Sequence, residues 1–426
     1  MQIKQLYSIY LQHPSIQTDT RKLKPGDLFF ALKGPNFNGN EFALKALEAG
    51  AAYAIIDEKS TSPNERLIET DDVLKTLQQL AKHHREQFNI PFIAITGSNG
   101  KTTTKELVHE VLSSTYKTYT TKGNLNNHIG IPITILSVQK DAEMAVIEMG
   151  ANHQKEIEGY CVYTKPTHGI ITNVGKAHLE GFGGEEGVKK GKGELFDYLR
   201  ANNGIAFIFN DYDYLKEMSA GIKNITTYGT TDADITGDQI SSNGFLEVEI
   251  TKGAGIKKIK TNLIGGYNLP NVLVAVTVGK YFHVADEKIK SSLENYIPSN
   301  SRSQLIEKDS NKIILDAYNA NPSSMKVAIE NFAKMPGNDK ILLLGGMMEL
   351  GNESIEEHKA VVDLIKNYPW KSVVLVGGDF NKIEHPFINF KNSTEAKEWL
   401  TQQHYKNSFL LIKGSRSMQM EKVLEP

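Results

Sequence analysis

The segment from Pro91 to Ser114, "PFIAITGSNGKTTTKELVHEVLSS", narrows the fold more than any other part of the chain. It reads as a buried strand, a glycine loop and a helix whose Leu107, Val108, Val111 and Leu112 share one face. A buried strand feeding a helix is half of a βαβ unit, and such units assemble into parallel sheets with helices on both faces. Further apolar runs follow at "AEMAVIEMG", "THGIITNVG" and "GIAFIFND", separated by helical stretches. The central region is therefore expected to be a mostly parallel sheet. The alternating "GFLEVEITKGAGIKKIKTNLIG" is expected to add a β-hairpin that turns at Gly253 to Gly255.

The regions on either side have their own texture. Up to about Phe88, the short strands "GDLFFAL" and "AAYAIID" flank "GNEFALKALEAG", a helix stopped by Gly50, which makes a small α/β unit. From about Ser299 the chain repeats strand then helix at "NKIILDAYNA", "DKILLLGGMME", "KSVVLVGG" and "NSFLLIKGSRS", as a Rossmann-like domain would. Three α/β domains are expected, at 1–88, 89–298 and 299–426, within the usual size range for a chain of 426 residues. A net charge of −2 gives no reason to expect nucleic acid as a partner, and the single Cys161 excludes an internal disulfide. No segment approaches the ~18 apolar residues of a membrane span. A cytoplasmic monomer is the expected form.

The glycine loop carries the first chemical signal. Gly97, Ser98, Asn99, Gly100, Lys101, Thr102 and Thr103 follow the strand without the spacing of the common G-x-x-x-x-G-K-[ST] loop, which would need glycine where Ile95 stands. Strand, glycine loop and helix is nonetheless the setting a phosphate cradle requires. Backbone N–H groups close on phosphate oxygens, the helix dipole adds to their field, Lys101 neutralises charge, and Thr102 can ligate Mg²⁺. The bland alternative is a glycine turn capping a helix. Two residues at neighbouring strand ends could complete the site, where ligands of open α/β sheets bind. Glu148 ends the run "AVIEM", where a buried carboxylate needs a cation or a donor, although a salt-bridged edge glutamate would read the same. His178 follows "GIITNV"; alone it is as readily a surface histidine, since Mg²⁺ prefers oxygen.

The chain resembles the Mur ligases of peptidoglycan synthesis over essentially its whole length. The blocks are "TDTRKLKPGDLFFALKG", "TGSNGKTTTKE", "GNLNNHIGIP", "VIEMGANHQKEI", "NVGKAHLEGFGG", "GGYNLPNVLVAV", "NSRSQ", "LDAYNANPSSM", "MMELGNES" and "IKGSRSMQME". Within the family, "AHLEGFGG", "GNLNN" and "YNANPSSM" resemble the branch that adds a dipeptide. The resemblance implies ATP at Gly97 to Thr103, with Thr102 and Glu148 on one Mg²⁺ and His178 helping to hold a second. It implies Asn268 and Asn271 against adenine, Arg302 reaching the phosphates and Asp316 on the nucleotide. It implies a UDP-sugar at Thr20, Arg21, Lys33 and Asn38. The walls of the muramoyl-peptide site would be Asn124, Asn126, Asn127, Asn152 and His153, and Asn319, Asn321, Ser415 and Arg416 are expected on the substrate side.

The implied reaction joins D-Ala-D-Ala to a UDP-N-acetylmuramoyl tripeptide through an acyl phosphate, with Lys101, Lys192, His178 and Arg302 as catalytic groups. Lys192, in "VKKGKGELFDYL", aligns with a lysine that several of these ligases carry as a carbamate, an anionic oxygen ligand for Mg²⁺; read bare, Lys189, Lys190 and Lys192 are a solvated helix face. Three positions depart from the family pattern: Tyr267 in place of a frequent histidine, Ala317 in place of serine, and Gly346 where "GDM" is more typical. The rival readings are a P-loop switch, for which no N-K-x-D motif is present, and a related amide ligase that adds a single amino acid.

Overall fold

The computed structural model describes residues 2–59, 64–241, 244–299 and 301–425. Three α/β sheets carry it, as the strand and helix pattern predicts. The first has four parallel strands in the order Ile16–Gln17, Leu28–Phe30, Tyr53–Ile56, Leu67–Glu69, beside a small ribbon of Lys33–Gly34 and Phe37–Asn38. Its helix Ala43–Glu48 ends at Gly50, whose φ of +104° suits glycine, as "GNEFALKALEAG" predicts. Helix Val73–Arg85 starts where the Asp72 carboxylate accepts from Lys75 N at 2.8 Å. At its far end Arg85 donates to the carbonyls of Thr164 and Lys165, at 2.9 and 3.0 Å, tying the first sheet's layer to the second.

The second sheet has nine strands, in the order Lys258–Ile264, Phe245–Lys252, Ile235–Ser241, Asn224–Gly229, Ile205–Phe209, His168–Ile171, Phe92–Thr96, Met144–Glu148, Thr118–Thr120. All its pairings are parallel except the two made by Phe245–Lys252. One of these is the hairpin that the alternating segment predicts; the other recruits Ile235–Ser241, a strand absent from the apolar pattern. Phe92–Thr96 and Met144–Glu148 are buried at every residue, because parallel strands here are covered on both faces. Their carboxyl ends, at Gly97 and Glu148, therefore lie side by side.

The third sheet runs Gln304–Lys308, Asn311–Asp316, Phe409–Lys413, Lys340–Gly345, Ser372–Val376, Ile388–Phe390, parallel except at its Gln304–Lys308 edge. Gly346, just past one of these strands, explains itself by packing. A Cβ there would lie 2.7 Å from the Gly378 Cα, too close for any side chain, so the more usual aspartate has no room beside Gly378. The third sheet's loops reach over the glycine loop of the second: Asn321 donates to the Asn99 side chain at 2.8 Å, Lys176 N donates to Ser323 Oγ at 3.0 Å, and Tyr267 meets Ser303 Oγ at 2.8 Å. Among the described residues no helix is long and apolar enough to cross a membrane.

Candidate active site

A cleft of about 1660 Å³ opens between the second and third sheets, with the glycine loop at its base. The loop is set by two glycines in left-handed conformations, Gly97 at φ +141° and Gly100 at φ +79°. A Cβ at Gly97 would lie 2.0 Å from Thr172 Oγ1, so only glycine lets the loop pass this close to the neighbouring strand. That strand's end holds the loop in shape. Ser98 N donates to the Asn173 carbonyl, Asn99 N to the Asn173 side chain, and Thr172 Oγ1 to the Asn99 carbonyl, at 2.9, 3.0 and 2.6 Å. Helix Lys101–Ser113 then begins at Gly100 with no side-chain cap, and Thr102 and Thr103 in its first turn line the cleft. Its first N–H groups are the orphan donors that an anion satisfies.

Lys101 folds back on this loop, donating to the carbonyls of Gly97 and Ser98 at 2.7 and 3.1 Å. Burial pushes its ammonium down to about 8, opposed by the Glu148 carboxylate and helped by repulsion from Arg302. Beside it, Thr102 donates to Glu148 Oε2 at 2.9 Å and Asn126 to Oε1 at 2.7 Å; Glu148 is only 1% exposed. A hydroxyl and a buried carboxylate meeting at a phosphate loop are oxygen donors of the kind Mg²⁺ takes, so these residues fit the ion.

Lys192 sits on the inward face of helix Glu185–Ala201, 1% exposed, while Lys190 is exposed; the solvated-face reading fails at this position. Its amine donates to the Ala151 carbonyl at 3.0 Å and lies 4.8 Å over the Phe182 ring. Burial, reinforced by Lys101, drives its pKa well below the lysine range. A neutral buried amine is the species that can take up CO₂. His178, at φ +54°, lines the cleft from the next loop, and its Nδ1 pairs closely with the carboxylate of Glu349 from the third sheet's side.

Asn268 and Asn271 line the cleft, but their amides are engaged: Asn271 donates to Asn268, Asn268 donates to the Ile264 carbonyl, and Thr104 donates to Asn271. From the third sheet, the Arg302 guanidinium stacks 3.6 Å over the Tyr318 ring and keeps a buried Nε without a partner. An orphaned cationic donor facing a phosphate loop fits a nucleotide anion. Asp316 accepts from Ser303 N and pairs with Lys413 at 2.6 Å. Asn319, Asn321, Ser415 and Arg416 border the same space, with Ser415 bonded to the Gly346 carbonyl at 2.7 Å and Arg416 to Glu421 at 2.9 Å.

Of the predicted peptide-site walls, Asn124, Asn126 and Asn152 line the cleft. Asn127 also borders it while its Oδ1 accepts from Gly130 N at 2.9 Å at the start of helix Gly130–Leu136. His153 is not part of the lining and sits against Gly181. The four residues predicted for the UDP-sugar lie outside the cleft. Arg21 is exposed and paired with Asp19 at 2.8 Å; Lys33 reaches Asp57 and Glu58, both at 2.9 Å; Asn38 donates to Glu58; Thr20 begins the turn Thr20–Lys22. Lys413, Tyr318 and Glu349 were not singled out from sequence. Lys413 had a usable signal, because it closes the apolar run "FLLIK" as Glu148 closes "AVIE".

These features define an α/β protein with a glycine phosphate-loop motif at the base of a cleft between two sheets. Family descriptions match it along its length: "Mur ligase family, catalytic domain" at residues 14–85, "Mur ligase middle domain" at 95–279 and "Mur ligase, glutamate ligase domain" at 301–416. The UDP-N-acetylmuramoyl-tripeptide–D-alanyl-D-alanine ligase of Bacillus subtilis is 34% identical, covering 96% of this chain and 92% of that protein. The Escherichia coli ligase of the same name is 35% identical with the same coverage. Among solved structures, MurF from Acinetobacter baumannii superposes with a TM-score of 0.88 at 31% identity, covering 96% of this chain and 92% of that one. MurF from Thermotoga maritima in complex with ADP gives 0.87 at 27% identity, covering 97% of each. The chain belongs to the Mur ligase family, and its three-domain α/β architecture is that of the MurF structures.

Proposed function

We propose that this chain is the ATP-dependent ligase that joins D-Ala-D-Ala to a UDP-N-acetylmuramoyl tripeptide. The observation that carries the reading is the meeting of Lys101 and the Thr102–Glu148 pair at one phosphate loop, with Arg302 lining the same cleft and its buried Nε without a partner. Full-length likeness to ligases of that name supports the choice of substrates. The three family matches support domains at 1–88, 89–298 and 299–426.

In this reading the loop from Gly97 to Thr103 cradles the phosphates, Arg302 reaches them from the third domain, and Asp316, Asn268 and Asn271 border the nucleoside. Thr102 and Glu148 would hold one Mg²⁺, and His178 with carbamylated Lys192 a second; bound there, the ions spread charge on the transferring phosphoryl group. A carboxylate oxygen of the tripeptide attacks the γ-phosphorus and ADP leaves. The amine of D-Ala-D-Ala then attacks the acyl carbon, and the tetrahedral species expels phosphate. Water must be kept out while the acyl phosphate exists, which suits a cleft closed by two domains. Asn124, Asn126, Asn127 and Asn152 flank the muramoyl peptide, with His153 just outside the cleft, and Thr20, Arg21, Lys33 and Asn38 take the UDP end. Asn319, Asn321, Ser415 and Arg416 lie on the dipeptide side. The protein works as a cytoplasmic monomer, where its nucleotide substrates are made.

The test is product formation and phosphate release with ATP, Mg²⁺ and a defined UDP-muramoyl tripeptide, adding D-Ala-D-Ala or single amino acids in parallel. Sustained turnover is expected only with the dipeptide. Turnover with a single amino acid and none with D-Ala-D-Ala would move the chain to another branch of the family.

A further inference from the structure

The third domain grips the short loop that carries His178 from several directions. Lys176 donates its backbone N–H to Ser323 Oγ at 3.0 Å and its ammonium to Glu357 at 2.6 Å. Glu180 N donates to the Glu349 carbonyl at 3.3 Å, and Gly351 packs against the Glu180 side chain, its would-be Cβ only 3.2 Å away. Glu349 itself has a φ of +63°, a conformation that a glutamate adopts only when its surroundings impose it. That backbone turn delivers the Glu349 carboxylate to Nδ1 of His178. His178 lines the cleft, and among the described residues its Nε2 has no hydrogen-bond partner.

We infer that Glu349 is a positioning residue that arms His178 for a metal ion, so the ion site is complete only when the third domain is docked. The inference rests on the reading of His178 as a ligand given above. A carboxylate at Nδ1 holds the hydrogen on that nitrogen and leaves the Nε2 lone pair free for an ion, the arrangement by which a second residue fixes the tautomer and rotation of a metal-binding imidazole. Because His178 belongs to the second domain and Glu349 to the third, docking and arming are one event. An enzyme whose domains are apart would hold the second ion weakly and would not spend ATP before its cleft is closed. The same short helix, Leu179–Phe182, sets the Phe182 ring under the Lys192 amine, so the grip on residues 176–180 also borders the other expected ligand of that ion.

Two readouts test this in the full-length protein. In ¹⁵N-histidine-labelled protein, the neutral His178 ring is expected to carry its hydrogen on Nδ1, facing Glu349. Mn²⁺ titrated in the presence of ADP, followed by electron paramagnetic resonance, reports the ions. Glu349→Ala should lose the tautomer preference and weaken the second Mn²⁺ by about tenfold to a hundredfold. Glu349→Gln, whose amide oxygen still accepts from Nδ1, should keep the tautomer and weaken the ion less. Glu357→Ala, which removes a different contact on the same loop, should leave the tautomer unchanged. His178→Ala should abolish the second Mn²⁺; if both ions remain in that variant, the ligand reading itself fails and the inference with it. If His178→Ala loses the ion while Glu349→Ala matches the wild type in both readouts, Glu349 alone is retired. A neutral ring with its hydrogen on Nε2 in the wild-type protein would also overturn the assignment.

Discussion

Lys101→Ala is expected to lower kcat by about a hundredfold to a thousandfold, the usual cost of removing one preorganised charge aimed at a developing anion. The fold should survive, because the Lys101 ammonium is bonded to its own loop, at the Gly97 and Ser98 carbonyls, and supports no apolar packing. Circular dichroism and the thermal midpoint check the fold, and steady-state phosphate release checks the rate. The pH dependence follows from the same burial. In the free protein the ammonium is pushed down to about 8, and phosphate oxygens favour the charged form. ATP binding therefore draws a proton onto Lys101 once the pH exceeds about 8, and the apparent KM for ATP should rise as pH climbs through that value. In Lys101→Ala this rise should vanish. A near-normal rate in the variant would reduce the loop to a helix-capping turn.

Lys192 offers the other large effect, in which stability and activity move in opposite directions. Burial holds the folded amine well below the lysine range, whereas the unfolded chain binds a proton there up to a pKa of about 10.4. Unfolding thus takes up a proton. The stability of the wild type is full above the unfolded pKa and is lost as pH falls toward the folded one. In CO₂-free buffer Lys192→Met removes this penalty at similar volume, so at pH 7 it should unfold at a higher temperature than the wild type, with the gap closing toward pH 10. Activity should fall by about a hundredfold in Lys192→Met and in Lys192→Ala, with added formate or acetate restoring part of it only in the alanine variant, where a carboxylate has room. Full activity in either variant would remove Lys192 from the reaction.

What could be read from the residues follows from what is local. The strand, glycine loop and helix at Phe92–Ser113 is contiguous, and Glu148 announces itself as a charge closing an apolar strand, so both were legible before any tertiary contact was known. Lys413 has the same pattern, but its partner Asp316 lies beside it on the neighbouring strand, 97 positions away in the chain, and nothing local in the sequence pairs them. Glu349 was hidden for the same reason: its role comes from a backbone turn and from His178, which is 171 positions earlier. The strand Ile235–Ser241 escaped because "ITGDQIS" lacks an apolar run and gains its order from the neighbouring strands. Lys192 needed burial to be distinguished from Lys190 two positions before it, since "VKKGKG" alone is a charged helix face. Asn268 and Asn271 show the converse: the motif located them, while the structure gives their amides to each other, to Thr104 and to a backbone carbonyl.

The central claim is that the phosphate of ATP passes to a carboxylate before the peptide bond forms. It is tested most directly with a UDP-muramoyl tripeptide labelled with ¹⁸O in the reacting carboxylate, turned over with ATP and D-Ala-D-Ala. The acyl phosphate gives its bridging carboxylate oxygen to the departing phosphate, so mass spectrometry should find one ¹⁸O in each phosphate released, and the other in the new amide. Unlabelled phosphate formed together with the dipeptide adduct would contradict the account.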